Sequence, residues 1–266
     1  MKKMNGLLIL ITGASSGIGE ASAKLLAKKG AEVILLARGE ENLKRVCDEI
    51  ANDNGTASYY SVDLSNGEAI AKTTQQIKKE KGIPDIIINN AGAGNWLSIL
   101  ETSSDEFEKM QAVPHHAAFH ITKAFIHEMK ERNKGHIINI NSASCYFSYP
   151  GAMGYLSSRW ALRSFSEALH SELYATGIDV SMIVAGKVDS PYFTNNPISA
   201  ERIPKIAPML TGTLTLDKVA NTIAKTIHSR RKTVIIPFSM NVLVNMNRFF
   251  PRIFSYLLRK TGYKMD

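Results

Sequence analysis

The sequence of 266 residues has few cysteines and no long apolar run, and each shortage argues against a class of protein. Cys47 and Cys145 are its only cysteines, they lie far apart, and neither has a CxxC partner. This argues against a disulfide framework and against a zinc site built from cysteines. The apolar run at residues 7–11 is too short for a signal-peptide core or a membrane span. We therefore expect a cytoplasmic protein.

Acidic residues are almost absent from the last 42 residues, and this shortage decides where the charge of the chain lies. Residues 1–224 hold 23 Lys/Arg and 23 Asp/Glu, whereas residues 225–266 hold nine Lys/Arg and one acid, Asp266. The formal charge of +8 therefore lies entirely in this basic segment. Such a segment suits an anionic surface: a membrane, a nucleic acid or an acidic protein. Because no nucleic-acid motif accompanies it, we expect no nucleic-acid partner.

Short apolar runs alternate with helix-like stretches along most of the chain. Strands are predicted at 7–11, 32–36, 57–62, 85–88, 135–141, 178–184 and 233–236. Helices are predicted at 18–29, 40–53, 67–81, 104–131, 154–176 and 215–229. Apolar runs of this kind suit strands buried on both faces of a parallel sheet. With no repeat or linker, the pattern predicts one doubly wound α/β domain of the Rossmann type with a mostly parallel seven-stranded sheet, over residues 1–236.

The stretch 187–213 departs from this alternation. Pro191, Pro197, Pro204 and Pro208 prevent a single continuous helix there. The stretch follows the carboxyl end of a predicted strand, where open α/β sheets bind their ligands. We interpret it as a mobile apolar lid over a substrate; the alternative is an ordinary packed connection with a broken helix.

The junction of the first strand and the first helix reads Thr-Gly-Ala-Ser-Ser-Gly-Ile-Gly over residues 12–19. Glycines at 13, 17 and 19 let a phosphate approach the backbone. The first N–H groups of the helix lack intrahelical partners, and the helix dipole is positive at that end. With a strand before it and a helix after it, the junction predicts a binding site for the pyrophosphate of a dinucleotide.

The end of the second strand indicates which dinucleotide is bound. A carboxylate near this point usually binds the ribose hydroxyls of NAD. The chain has Ala37 and Arg38 here, and a guanidinium suits a 2′-phosphate. This pattern favours NADP(H) over NAD(H), although a solvated surface arginine is the alternative interpretation.

A second group of polar residues follows the fifth strand. Tyr155 and Arg159 are four residues apart on a predicted helix and therefore share a face. A guanidinium within a few ångströms stabilises a phenolate, which suits a tyrosine for proton transfer. Ser142, at the end of the fifth strand, could donate a hydrogen bond to a substrate carbonyl. The alternative is a surface Tyr–Arg pair and an unrelated serine.

These motifs resemble the short-chain dehydrogenase/reductase family over residues 6 to about 236. The similarity consists of TGASSGIG, NNAG, a strand-end serine 13 residues before a tyrosine, and a YxxxK-like helix. It implies that Ser142 polarises a carbonyl, that Tyr155 transfers the proton and that Arg159 holds the nicotinamide ribose. It also implies a homo-oligomer. The implied NADP(H) site comprises Gly13, Ser15, Ser16, Gly17, Ile18, Gly19, Arg38, Asp63, Leu64, Asn90, Tyr155, Arg159 and Val188.

The substrate is expected to be an apolar carbonyl or alcohol compound, because aromatic and aliphatic residues surround the predicted site. Together with the lid, these residues are Trp96, Leu97, Tyr146, Phe147, Tyr149 and Met153.

Three departures from the family pattern leave two functional hypotheses open. Arg159 stands where the family has lysine, Val113-Pro114 where it has a Val-Asn pair, and Ala185 where it commonly has proline. We expect Pro114 to keep the helix break of the family and to free a carbonyl near Met110. One hypothesis is an active NADP(H)-dependent oxidoreductase; the other is an NADP(H)-binding sensor or scaffold without turnover.

Residues 237–266 are predicted to be a basic, amphipathic extension of the same domain. Polar residues and prolines interrupt its apolar runs, so it cannot span a bilayer. A helix packed on the protein and a helix attached to a membrane surface both remain open. The expected apolar face comprises Phe249, Phe250, Ile253, Phe254, Leu257 and Leu258. The opposite face comprises Arg248, Arg252, Ser255 and Arg259.

Two further patterns are given structural interpretations. His115, His116 and His120 have no carboxylate or cysteine partner at a metal-binding spacing, so we expect no metal site. Cys145 follows Ser142 by three residues and is interpreted as a small buried filler.

Overall fold

A computed structural model describes residues 3–92 and 94–264, so Asp266 of the basic segment lies outside the described residues. It contains one seven-stranded sheet in the order β3-β2-β1-β4-β5-β6-β7, and every neighbouring pair is parallel. The strands are β1 (Leu8–Thr12), β2 (Glu32–Ala37), β3 (Thr56–Ser61), β4 (Ile86–Asn89), β5 (Gly135–Ser142), β6 (Ile178–Ala185) and β7 (Thr233–Ile236). The predicted doubly wound fold is confirmed, and the sheet is parallel throughout the described residues.

Twelve α-helices flank the sheet in the described part of the chain. They are α1 (Gly17–Lys28), α2 (Glu40–Asn52), α3 (Gly67–Glu80), α4 (Ser104–Gln111), α5 (Ala117–Glu131), α6 (Met153–Glu172), α7 (Pro191–Asn195), α8 (Pro197–Glu201), α9 (Ile206–Thr211), α10 (Leu216–Ser229), α11 (Phe238–Phe249) and α12 (Pro251–Thr261). Leu26 of α1 and Ile223 of α10 belong to the core on one face of the sheet. Ile70 of α3 and Phe125 of α5 belong to the core on the other.

The order of the strands positions the site. From β1 the chain runs outward to β3, crosses back to β4, and then runs outward to β7. Ile9 of β1 pairs with Val33 of β2 on one side and with Ile86 of β4 on the other. Where the strand order reverses, the chain segments that follow β1 and β4 leave the sheet in opposite directions. A crevice therefore opens at the carboxyl ends of these two strands.

The predicted helix 104–131 is interrupted at Pro114. Ser103 and Glu106 form a capping box at the start of α4. A π-helical turn, Ala112–His116, then separates α4 from α5, and the N–H of Ala117 bonds to the carbonyl of Ala112. Proline has no N–H to donate, so an ordinary i→i−4 bond is impossible at position 114. The expected helix break is confirmed.

The stretch 187–213 forms three short helices, α7, α8 and α9, as its prolines predict. The Tyr192 hydroxyl donates to the carbonyl of Gly94 at 2.8 Å, and the main-chain N–H of Trp96 donates to the Ser199 hydroxyl at 3.0 Å. Arg202 forms a bidentate ion pair with Glu101. The structure therefore holds the segment 187–213, which we call the lid from here on, against the loop that follows β4, and its role as a cover over a substrate stays a prediction.

The prediction for the C-terminal extension needs a correction. The stretch 249–258 is not one helix with a single apolar face, because Pro251 starts a new helix after α11 ends. Leu258 is buried, and Phe254 and Leu257 face a cleft, whereas the side chains of Phe249, Phe250 and Ile253 are exposed. In the described residues no helix is both long enough and apolar enough to cross a membrane.

Candidate functional site

A cleft of about 1280 Å³ lies at the carboxyl edge of the sheet. The ends of the central strands form its floor, and the lid with α11 and α12 forms one wall. It is lined by every predicted site residue except Gly19, namely Gly13, Ser15, Ser16, Gly17, Ile18, Arg38, Asp63, Leu64, Asn90, Ser142, Tyr155, Arg159 and Val188. One continuous space therefore joins the glycine loop to the serine and tyrosine.

Gly19 lies beneath the glycine loop and does not line the cleft. A Cβ atom at this position would come within 2.1 Å of the Gly13 carbonyl oxygen and 2.7 Å of the Asn90 amide nitrogen. The glycine therefore allows α1 to pack directly against the loop, which fixes the position of the first helical N–H groups.

Asn90 supports this loop with its side chain. Its amide nitrogen donates to the carbonyl oxygens of Thr12 at 3.0 Å and Gly13 at 3.2 Å. The Thr12 hydroxyl in turn accepts hydrogen bonds from the N–H groups of Asn90 and Ala91. The ends of β1 and β4 are thus joined at the crevice, and the side chain of Asn90 acts on the protein backbone.

At the other end of the cleft, Arg38 is exposed and forms no salt bridge within residues 3–92 and 94–264. Arg45, which the sequence reasoning missed, lines the same region but pairs with Glu20 and Glu49. Hydrogen bonds from Ser65 lower the pKa of Asp63, and the positive charge of Arg38 lowers it further. An unpaired guanidinium beside a carboxylate provides a donor for a ribose phosphate and an acceptor for the hydroxyl or amino groups of an adenosine.

Tyr155 and Arg159 lie on the same face of α6, as their spacing predicts. The guanidinium carbon of Arg159 is 5.0 Å from the centre of the Tyr155 ring. Arg159 is only 7% exposed and donates to the carbonyl of Ile140 at 3.3 Å. The Asn141 amide donates to the main-chain carbonyl of Arg159 at 3.0 Å, which ties α6 to the end of β5. The structure thus brings Ser142, Tyr155 and Arg159 to one cleft.

The Nε atom of Arg159 is buried and has no hydrogen-bond partner in the described residues. Buried charged donors without partners are costly, so this atom fits a site that a polar ligand completes. The Nη2 atom of Arg159 lies so close to Gly92 that a Cβ there would approach it to 2.6 Å. Ribose hydroxyls could accept hydrogen bonds from this guanidinium, and the residues present therefore fit a dinucleotide.

A hydroxyl network next to Ser142 was not predicted. The Ser142 hydroxyl donates to the Ser144 hydroxyl at 3.1 Å, and the Ser144 N–H donates back to it at 3.2 Å. The Ser144 hydroxyl also bonds the Tyr149 hydroxyl at 2.7 Å. Burial raises the pKa of Tyr149 well above its ordinary value, so this phenol stays protonated. The close spacing of Ser142 and Ser144 was the available signal.

The predicted apolar pocket is correct only in part. Trp96, Phe147 and Tyr149 line the cleft, whereas Leu97, Tyr146 and Met153 lie outside its lining. The lid adds Tyr192 and Phe193. The Trp96 ring centre is 5.0 Å from that of Tyr155, and the Tyr192 ring centre is 6.3 Å from it. Aromatic rings therefore surround the tyrosine.

The histidines and Cys145 were interpreted from the sequence as structural residues, not as parts of a site. Among the described residues, no group of three or more His, Cys, Asp or Glu side chains could hold a metal ion. Cys145 is fully buried, and burial raises its pKa to about 12. Because the thiolate is the reactive form, Cys145 is an inert packing residue at neutral pH.

Comparison with known proteins agrees with this geometry. The sequence model described as short chain dehydrogenase matches residues 7–200. The chain is 31% identical to human 17-beta-hydroxysteroid dehydrogenase 13 over 97% of its own length and 84% of that protein. An alcohol dehydrogenase from Thermococcus sibiricus, solved with 5-hydroxy-NADP, has a TM-score of 0.76 at 26% identity, covering 86% of this chain and 95% of the other. A short chain dehydrogenase/reductase from Burkholderia phymatum, solved with NAD, has a TM-score of 0.84 at 22% identity and full coverage of both chains.

Proposed function

Because the chain belongs to the short-chain dehydrogenase/reductase family, we propose that it is an NADP(H)-dependent oxidoreductase acting on the carbonyl or alcohol group of an apolar compound. The observation that carries the proposal is the buried Arg159 guanidinium over Tyr155, in a cleft continuous with Ser142 and the glycine loop. This arrangement provides a proton donor, a carbonyl-polarising donor and a buried cation in one space.

The roles of the residues follow from their chemistry. When bound, the nicotinamide supplies or accepts a hydride at the carbon of the carbonyl or alcohol. Ser142 donates a hydrogen bond to the substrate oxygen, which polarises the carbonyl. The Tyr155 hydroxyl gives its proton to that oxygen during reduction and takes it back during oxidation. The positive charge of Arg159 stabilises the phenolate that Tyr155 becomes.

The preference for NADP(H) is supported by the unpaired Arg38 after Ala37, where NAD-binding folds usually carry a carboxylate. We expect Arg38→Asp to weaken NADPH binding about 10- to 100-fold, because a charge-assisted hydrogen bond to phosphate is lost. Binding of NADH should be unchanged or stronger. Titration by fluorescence measures both affinities, with Lys44→Asp as a matched surface control.

An NADP(H)-binding sensor without turnover is the second candidate, and Arg159 is the observation that favours it. Arginine does not readily release a proton, so a relay through this side chain would fail. Two features support the enzyme instead: Arg159 keeps the positive charge beside Tyr155, and the π turn at Pro114 keeps the helix break.

Oxidation of NADPH with a panel of apolar aldehydes and ketones tests the two candidates. We expect turnover by the native protein and a loss of about 10²- to 10⁴-fold in Tyr155→Phe, with the Kd for NADPH unchanged. Arg159→Lys should keep or raise the activity. Tight NADPH binding without turnover on any compound would support the sensor, and complete loss in Arg159→Lys would contradict the electrostatic role of Arg159.

We also propose a homo-oligomer that uses the outer faces of α5 and α6. Phe119 of α5 and Trp160 of α6 are large, apolar and exposed there. Scattered apolar residues are ordinary on a surface, but aromatic rings on neighbouring helices are typical of the centre of an interface. Sedimentation of Phe119→Ser/Trp160→Ser beside the native protein tests this, and an unchanged mass would contradict it.

A further inference from the structure

We propose that the outer face of α11 and α12 docks on an anionic lipid bilayer at the entrance of the substrate cleft. The docking itself does not require catalysis; only its use for substrate entry rests on the proposed function. The proposal combines three observations: an exposed apolar row, a concentration of positive charge around it, and the position of both helices in the wall of the cleft.

The outer sides of these helices carry a row of exposed apolar residues. Residues 238, 242, 246 and 249 of α11 recur every three or four positions and therefore lie on one side of the helix. Phe238 is 79% exposed and Phe249 is 77% exposed. We call the whole set the outer row: Phe238, Val242, Met246, Phe249, Phe250, Ile253 and Tyr256, all of them exposed. Large exposed apolar residues grouped on a protein surface mark interaction sites.

The outer row is not needed to hold the two helices on the protein. Met240 and Val244 of α11 and Leu258 of α12 are buried on the inner side. Phe254 and Leu257 face the cleft from the same side. Because the inner residues already pack against the domain, the outer row is free to contact something else.

The charge around the outer row identifies the partner. Arg248, Arg252, Arg259 and Lys260 lie on α11 and α12, and neither helix contains an acidic residue. Aromatic and aliphatic residues flanked by arginines and lysines are typical of helices that lie in a membrane interface. Anionic headgroups would attract each basic residue while the outer row enters the acyl boundary.

A second copy of the chain fits this surface less well. In a two-fold symmetric contact the same patch meets itself, so the basic residues of one copy would meet the basic residues of the other. Like charges across an interface oppose association. The aromatic residues on α5 and α6 provide a separate surface for an oligomer.

The position of the helices gives the docking a function. Leu243, Phe254 and Leu257 line the cleft that holds Tyr155. The lid is joined to the same segment, since the Lys205 N–H donates to the Thr261 carbonyl at 3.1 Å and Arg202 stacks on Tyr263 at 4.3 Å. A docked protein would therefore present the cleft wall and the lid to the bilayer, where an apolar substrate is concentrated.

Vesicle flotation tests the docking on the full chain, without cofactor or substrate. The probes are phosphatidylcholine vesicles with and without phosphatidylserine. We expect the native protein to bind the anionic vesicles at least about tenfold more tightly than the neutral ones. Phe249→Ser/Phe250→Ser/Ile253→Ser and Arg248→Glu/Arg252→Glu should each lose about tenfold or more of that affinity.

Matched controls separate docking from general surface effects. Tyr174→Ser removes an aromatic residue that is 84% exposed elsewhere, and Lys225→Glu/Arg231→Glu reverses two exposed charges outside the two helices. Both controls should float like the native protein. Unchanged thermal unfolding and NADPH affinity verify that all variants are folded.

Three outcomes would overturn the proposal. They are equal binding of the native protein to neutral and anionic vesicles, unchanged flotation of both helix variants, and a smaller oligomer in the triple variant, which would assign the face to a second copy. Because the assay contains no substrate, its result is independent of turnover. Failure of the docking and failure of the proposed reaction can thus be told apart.

Discussion

The two ends of the cleft are built differently. At the glycine loop, α1 packs against the main chain of Gly13 because Gly19 has no side chain, and the Asn90 amide donates to the Thr12 carbonyl across the crevice. At the lid, the segment 187–213 meets the loop after β4 through hydrogen bonds that each involve a side chain: Tyr192 with Gly94, Ser199 with Trp96, and Arg202 with Glu101. The difference teaches that changes at the first end should act on cofactor affinity, whereas changes at the second should act on the substrate.

The largest effect is expected at the cofactor end. Gly19→Ala places a Cβ about 2.1 Å from a backbone oxygen, and the loop has to move to relieve the contact. We expect NADPH binding to weaken more than about 100-fold, in line with the several kcal/mol that overpacking can cost. Isothermal titration measures this. Gly39→Ala, which adds a methyl group 3.5 Å from the nearest neighbour, should bind normally.

The second effect should connect the two ends. Gly92→Ala would bring a Cβ to 2.6 Å from Arg159 Nη2 and push the guanidinium away from its place over Tyr155. We expect kcat to fall about 10- to 100-fold, in the range of a misplaced catalytic group. Because lysine lacks the Nη2 atom, Arg159→Lys in the same chain should restore part of the loss. Steady-state kinetics measure kcat of both single variants and of the double variant. If the change in the double variant is the product of the two single changes, the proposed contact between residues 92 and 159 is contradicted.

The third effect should be confined to the lid. Glu101→Gln removes one charge of the pair and leaves the Arg202 guanidinium, which is largely buried, without its partner. We expect the KM for the substrate to rise about tenfold while the Kd for NADPH stays constant, the magnitude of one lost charged hydrogen bond. An equal loss of NADPH affinity would contradict the claim that changes at the lid act on the substrate alone.

The ion pair of Glu101 and Arg202 also predicts how the KM of the Glu101→Gln variant, relative to that of the native protein, changes with pH. Hydrogen bonds from Arg202 lower the pKa of Glu101 to about 2, below its ordinary value of 4.5. A lowered pKa stabilises the folded lid above the ordinary value, and the contribution is lost as the pH falls towards 2. The KM ratio of Glu101→Gln to native protein should therefore be constant between pH 8 and pH 5. A ratio that falls within this interval would contradict the ion pair.

The last effect is expected on the stability of the fold, away from both ends of the cleft. His136 of β5 is buried beside Ser181, and burial lowers its pKa to about 4. The unfolded chain binds a proton near pH 6.5 while the folded protein does not, so stability is complete above pH 6.5 and falls as the pH decreases towards 4. Between pH 7.5 and pH 5 we expect the free energy of unfolding of the native protein to fall by about 2 kcal/mol because of His136. The His136→Asn variant should not show this fall. Urea unfolding at both pH values measures the difference.

Sequence reasoning predicted the sheet well because most strands are local apolar runs. The glycine loop and the Tyr155–Arg159 pair were also local, one a strand-to-helix junction and the other a spacing of four on a helix. The break at Pro114 could be predicted because proline removes a donor wherever it stands.

The substrate end was predicted less well, for physical reasons. Which of Leu97, Tyr146 and Met153 reaches the cleft depends on how distant elements pack, and helical periodicity does not contain that information. The C-terminal extension has apolar residues on two sides, so its pattern could not tell the inner face from the outer row. The network of Ser144 and Tyr149 needed the turn after β5, whose path was not predictable from spacing.

The π turn between α4 and α5 has a consequence for the rest of the helix. Each of its bonds spans one residue more than an α-helical bond, so everything after it is rotated by about 100° relative to a continuous helix. In that rotated frame Ile121, Phe125 and Met129 meet the core while Phe119 faces outward. Removing a single residue from 112–116 would therefore turn the wrong side of fifteen residues towards the sheet.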